Sequence, residues 1–101
     1  MNPIHVGAGY VSFVLRNARS LKDKRQVTRS VSQRLKNEGF SVVETDCRDN
    51  PKRGTLALAF IGTSATFIDE KFDFALNLFN EEFEIVDKKK EVFELGITPS
   101  L

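Results

Sequence analysis

Two periodicities alternate along this chain, and their order restricts the fold more than any single residue does. Residues 6–15, 40–47, 55–61 and 83–94 read as strands. In the first, Val11, Phe13 and Leu15 alternate with Tyr10, Ser12 and Val14; in the third, Leu56, Leu58 and Phe60 alternate with Thr55, Ala57, Ala59 and Ile61. Between strands one and two, and again between three and four, the apolar spacing lengthens to that of an amphipathic helix. The first helix, 21–38, places Leu21, Thr28, Val31 and Leu35 in one arc, with Val27 on its shoulder and Gly39 as its stop. The second starts near Thr63, Ser64 or Thr66, runs to about residue 80, and carries Ile68, Phe72, Ala75 and Phe79 as its core stripe. The resulting order, β-α-β-β-α-β, predicts a ferredoxin-like α+β domain: one antiparallel sheet ordered 4-1-3-2, both helices on one face. At 101 residues the chain has room for one modest core, so residues 1–101 are read as one domain with its ordered part at about 6–95 and a frayed 96–101.

The helix-facing set of the first strand is Val11, Phe13 and Leu15. Gly7 and Gly9 either weaken the start of that strand or mark a bulge. The fourth strand is interrupted in character by Lys88, Lys89 and Lys90.

Charge is divided along the chain. Residues 1–53 hold 11 basic side chains against 5 acidic ones, a net of +6; residues 54–101 hold 4 against 9, a net of −5. Between residues 16 and 36 there are eight basic side chains and one acid. Lys22, Arg25, Arg29 and Lys36 share an exposed stripe of the first helix with almost no acids, unlike a helix laced with ion pairs of alternating sign. Lys24 lies nearer the apolar arc, on the border between helix and sheet. Such a division predicts a basic face for an acidic partner.

The link between first strand and first helix is Ser20-Leu21-Lys22-Asp23-Lys24-Arg25. Ser20 is a good N-cap, and Asp23, three residues on, is placed to accept from the cap's own N–H. A helix N-terminus among cations is a reasonable anion site. The 4-1-3-2 order would bring Arg16, Arg19, Lys22 and Arg25 to the same end as Arg48, Lys52 and Arg53 from the turn at 48–54. Glu81, Glu82 and Glu84 would emerge at that end too, beyond the first strand. The candidate nucleic-acid or anion-binding residues are therefore Arg16, Arg19, Ser20, Lys22, Lys24, Arg25, Arg29, Lys52 and Arg53.

Other chemistries find little support. A lone Cys47 and a lone His5 make neither a disulfide nor a metal set, so no metal or cofactor is expected. Acylphosphatases share the expected fold, but Arg16-Asn17-Ala18-Arg19 lacks their glycine-rich cradle, and no nucleophile–base pair is evident, so no catalysis is expected. No apolar run reaches the roughly 20 residues of a membrane span. Residues 1–9 do not read as a signal peptide, and a cytoplasmic protein is expected. Sequence-specific RNA reading needs aromatic residues on the sheet face, where Tyr10 stands alone, so backbone or shape recognition is expected. The second helix has a wide apolar arc, with Phe67, Phe74 and Leu78 beside its core stripe. With Tyr10 on a semi-apolar open sheet face, these are candidate homodimer interface residues. The alternative to RNA binding is thus a homo-oligomeric interaction module that binds no nucleic acid.

Ser20-Leu21-Lys22-Asp23-Lys24-Arg25, after a strand and Arg19 and before a basic amphipathic helix, resembles the YlxP-like family of small bacterial domains of unknown function. Ser41-Val42-Val43-Glu44 and Glu84-Ile85-Val86-Asp87 are also similar, and the resemblance covers about residues 6–95. It implies a ferredoxin-like fold and an association with RNA or the ribosome, because members are often encoded near translation and ribosome-maturation genes. It assigns no catalytic residues. Relatives often carry a bulky or aromatic residue in the turn between strands two and three; here residues 48–53 contain none.

Overall fold

The computed structural model describes residues 3–46 and 49–96. The readings made for Cys47 and Arg48, and the fraying expected beyond Gly96, lie outside the described residues. Six elements follow in the order β1 (Ile4–Leu15), α1 (Leu21–Asn37), β2 (Ser41–Asp46), β3 (Arg53–Gly62), α2 (Ala65–Asn77) and β4 (Phe83–Leu95). The strands form one antiparallel sheet ordered β2-β3-β1-β4, with α1 beside β2 and α2 over β1, β3 and β4. This is the ferredoxin-like arrangement that the periodicities predict.

The predicted face assignment holds. Val11, Phe13, Leu15, Leu56 and Leu58 are buried with Val31 and Leu35 of α1 and Ile68, Phe72 and Ala75 of α2. Removing side chains of this size from water stabilises the fold by about 1.5–3 kcal/mol each. Phe13 meets Phe83 edge-on at 4.9 Å between ring centres and Phe79 at 6.1 Å, joining β1, β4 and the segment after α2. Gly7 is needed where α2 settles on β1: a Cβ there would lie 2.5 Å from Ile68 and 2.7 Å from Phe72. Gly39, at φ +100°, ends α1 as expected. Its N–H donates to the carbonyl of Lys36, and that of Phe40 to Leu35, which is a Schellman closure.

Some boundaries differ from the prediction. β1 begins at Ile4, because Ile4 and His5 pair with Leu95 and Glu94 at the far end of β4. β4 runs unbroken through its three lysines, with one register shift opposite Ser12 and Phe13. α2 ends at Asn77, short of residue 80, since Leu78 and Phe79 leave the helix to enter the core. Leu78 is therefore a buried residue and not part of an exposed interface.

Candidate nucleic-acid interface

The end of the sheet where β1 stops and β3 starts is tied together by backbone and by one lysine. Leu15 N–H donates to the carbonyl of Lys52 at 2.7 Å. Asn50 Oδ1 shapes the preceding turn by accepting from the N–H groups of Lys52 and Arg53. The Lys52 ammonium then reaches across and donates to the carbonyls of Arg16 at 3.1 Å and Ala18 at 2.9 Å. The predicted meeting of the β1–α1 loop with the β2–β3 turn is present, but Lys52 acts there as a strut. Its charge is partly engaged in holding the loop.

α1 starts as its sequence predicts, with one change. Ser20 Oγ accepts from Asp23 N–H at 3.1 Å. The Asp23 carboxylate accepts from the N–H of Arg19 at 3.0 Å, one residue before the cap, not from Ser20 itself. A carboxylate thus already sits at the positive end of the helix, favourably for the dipole. Ser20 is a structural cap, and the helix N-terminus does not offer a bare anion site.

The basic candidates separate into three groups. Arg19, Lys22, Arg25 and Arg29 are exposed, and among the described residues no carboxylate pairs with them. The last three lie on one stripe by helical spacing, which the exposed Lys36 prolongs. Arg16 is exposed but pairs with Glu84 on β4 at 2.6 Å, so the acidic connection does emerge at this end, beyond β1. Arg53 is exposed too, yet its cross-strand partner is Val14, on the sheet face opposite the helices. It stands across the sheet from the α1 stripe.

Lys24 is a correction. It is 1% exposed, and its Nζ lies 3.3 Å from Glu44 Oε2 of β2, without hydrogen-bond alignment. It cannot reach a phosphate outside. At 100° per residue Lys24 falls between Val31 and Leu35, in the middle of the buried arc, and its residue type alone suggested a border position. Glu44 shares a strand face with Val42, so a helix-facing carboxylate was available to sequence reasoning and was missed.

Of the interface candidates, Phe67 and Phe74 are half-exposed on α2. Both approach Lys71 or its neighbours: the Lys71 ammonium sits 5.7 Å from the Phe74 ring centre and 5.6 Å from that of Phe60, and pairs with Glu38 at 2.9 Å. Tyr10 lies on the open sheet face and donates to Asp87 Oδ2 at 2.9 Å. That hydrogen bond, then partial desolvation and the carboxylate charge, hold its phenol above the ordinary tyrosine range. Among the described residues no set of three or more His, Cys, Asp or Glu converges as metal ligands, and no helix is long and apolar enough to cross a membrane.

A family model described as a protein of unknown function, DUF503, matches residues 6–89. The chain belongs to the DUF503 family. A comparison with curated proteins found no match. Among solved structures, this DUF503 chain is similar to LarC2, the C-terminal domain of a cyclometallase involved in synthesis of the NPN cofactor of lactate racemase. The TM-score is 0.52 at 16% identity, over 92% of this chain and 57% of that one. It is also similar to the de novo designed protein Foldit4, with a TM-score of 0.50 at 12% identity, over 93% and 99% of the two chains. A third, protein SO0527 from Shewanella oneidensis, gives 0.49 at 18% identity over 94% and 93%. The chain spans little more than half of the LarC2 domain. The first two likenesses describe the fold alone; one of them is a design, so the architecture carries no activity with it.

Proposed function

We propose that this DUF503 chain is a non-enzymatic, cytoplasmic RNA-binding accessory domain that holds the phosphate backbone through α1 and the loop before it. The observation that carries this reading is the row of exposed guanidinium and ammonium groups at Arg19, Lys22, Arg25 and Arg29, with no carboxylate among the described residues to neutralise them. Arg16, paired with Glu84, borders the row, and Lys52 fixes the loop that presents it. Phosphate is the ligand that such a row suits, because Arg and Lys reach its oxygens without reading bases. The resemblance of the hexapeptide at Ser20 to the YlxP-like family supports a ribosome-associated RNA as the partner.

Four phosphate contacts give an affinity for single-stranded RNA that falls roughly 50-fold between 50 and 200 mM salt. Arg25→Glu with Arg29→Glu is expected to reduce binding of a labelled RNA to background, and to remove the protein from ribosomal fractions, with the thermal midpoint unchanged. Ser20→Ala is the control: it costs about 1 kcal/mol of stability through the lost cap and leaves the salt slope as it was. If the folded double reversal still sediments with ribosomal subunits like the unaltered protein, the stripe is only a solvated helix face.

A further inference from the structure

The sheet face away from the helices has a relief that a second copy of itself fits. Read across the strands, its side chains fall into rows set by the pairing of β4, β1 and β3. At the end remote from Arg19, Phe93, Val6 and Ile61 make one row, and Leu95 with Ile4 flanks it. Ile61 is 69% exposed, Leu95 48% and Phe93 47%. The next rows are Glu91, Ala8 and Ala59, then Lys89, Tyr10 and Ala57. Along β4 every one of these side chains is long; along β3 the two middle ones are alanines. The face is a ridge on β4 beside lower ground on β1 and β3, and an open concavity of about 610 Å³ lies there, walled by Lys89 and Glu91 and floored by Ala8 and Ala57.

We propose that this face binds a second copy of the chain about a two-fold axis running along β1. β4 and β3 flank β1 on either side. Such an axis therefore lays the β4 ridge of each copy on the lower β3 side of the other, with the strands nearly aligned as in packed sheets. Phe93 of each copy meets Ile61 of the other, and Val6 meets Val6. Lys89 and Glu91 descend over alanines, where there is room for their stems. Charge favours the same occupant. Lys89 pairs with Glu91 at 3.3 Å and Asp87 accepts from Tyr10, so these rows are close to neutral and nothing in them repels an identical surface. A phosphate backbone would meet Asp87 and Glu91 here, with the nearest lysine already engaged. This inference does not depend on the RNA reading.

The test is sedimentation equilibrium of the full chain over a concentration series reaching the millimolar range. The unaltered protein is expected to be a dimer. Ile61→Glu and Phe93→Lys, at exposed positions, are each expected to give monomers with the circular dichroism of the unaltered chain. Mixed together, those two variants are expected to form a heterodimer, because one of the two contacts becomes a salt bridge and the other is unaltered. Phe74→Glu, on α2, leaves the dimer intact. The proposal is overturned by a monomer throughout the series, by a dimer in either single variant, by failure of the mixed variants to associate, or by dissociation on Phe74→Glu.

Discussion

An ammonium that water cannot reach is a costly thing to place inside a small protein, and Lys24 has been placed there, against Glu44. The two side chains are unequal: Lys24 is 1% exposed and Glu44 25%. Water reaches part of the Glu44 side chain, but neither the lysine nor the Glu44 Oε2 that faces it. Lys24→Met fills the site with an apolar chain of similar length but leaves Glu44 Oε2 without its cation, and Glu44→Leu removes one charged partner of a buried ammonium; each is expected to cost about 2–3 kcal/mol. The double replacement is expected to cost less than the sum, by urea unfolding of all four proteins. Additive losses would show that the two groups do not interact across the α1–β2 contact. Gly54 belongs to the same arrangement: a Cβ there would lie 2.7 Å from the Phe13 ring and 3.3 Å from Cε of Lys24, so the lysine stem passes over a gap that only glycine leaves.

Among the elements, β4 is the least protected. Over thirteen residues only Phe83 is buried and only Val92 half-buried, and among the described residues its outer edge has no strand beside it. Unpaired edges of that length recruit other chains, and lysines at the centre are a recognised deterrent. Replacing Lys88, Lys89 and Lys90 together by threonine is expected to leave secondary structure in place but to raise light scattering on mild heating; clear solutions would remove this role from the lysines. The same lysines made β4 look interrupted in the sequence. A strand at an edge needs little apolar content, so local composition understates it. Element order and facing were legible because alternation by two and recurrence by three to four are local signals, and they survive in Val11, Phe13, Leu56 and Leu58. The start of β1 at Ile4 was not, because the residues that pair with Ile4 and His5 stand ninety positions later, at Leu95 and Glu94. The α1 stripe was legible for the same local reason. The part played by Lys52 was not, since it depends on carbonyls of another loop that topology brings within reach.

For the molecule as a whole, the two helices stand over different parts of the sheet: α1 is beside β2, and α2 lies over β1, β3 and β4. β2 and β4 are the two edge strands, with β3 and β1 between them. α1 carries six basic residues and one acid; α2 carries three acids and one lysine. The basic helix and the acidic helix thus stand over different parts of one sheet, although Glu84 meets Arg16 at the basic end. A body so divided experiences a torque near a polyanion before it touches it, turning α1 forward while still at a distance of a Debye length, about 8 Å in physiological salt. On the RNA-binding reading, a larger share of encounters is then expected to present α1 first. Stopped-flow measurements with RNA are expected to show an association rate that falls steeply with salt. Reversing charge on α2, with Asp69→Lys and Asp73→Lys, is expected to slow association although neither residue lies in the α1 row, and an unchanged rate would mean that arrival is unoriented. The helix that never contacts the partner would in this way help decide how quickly the other one finds it.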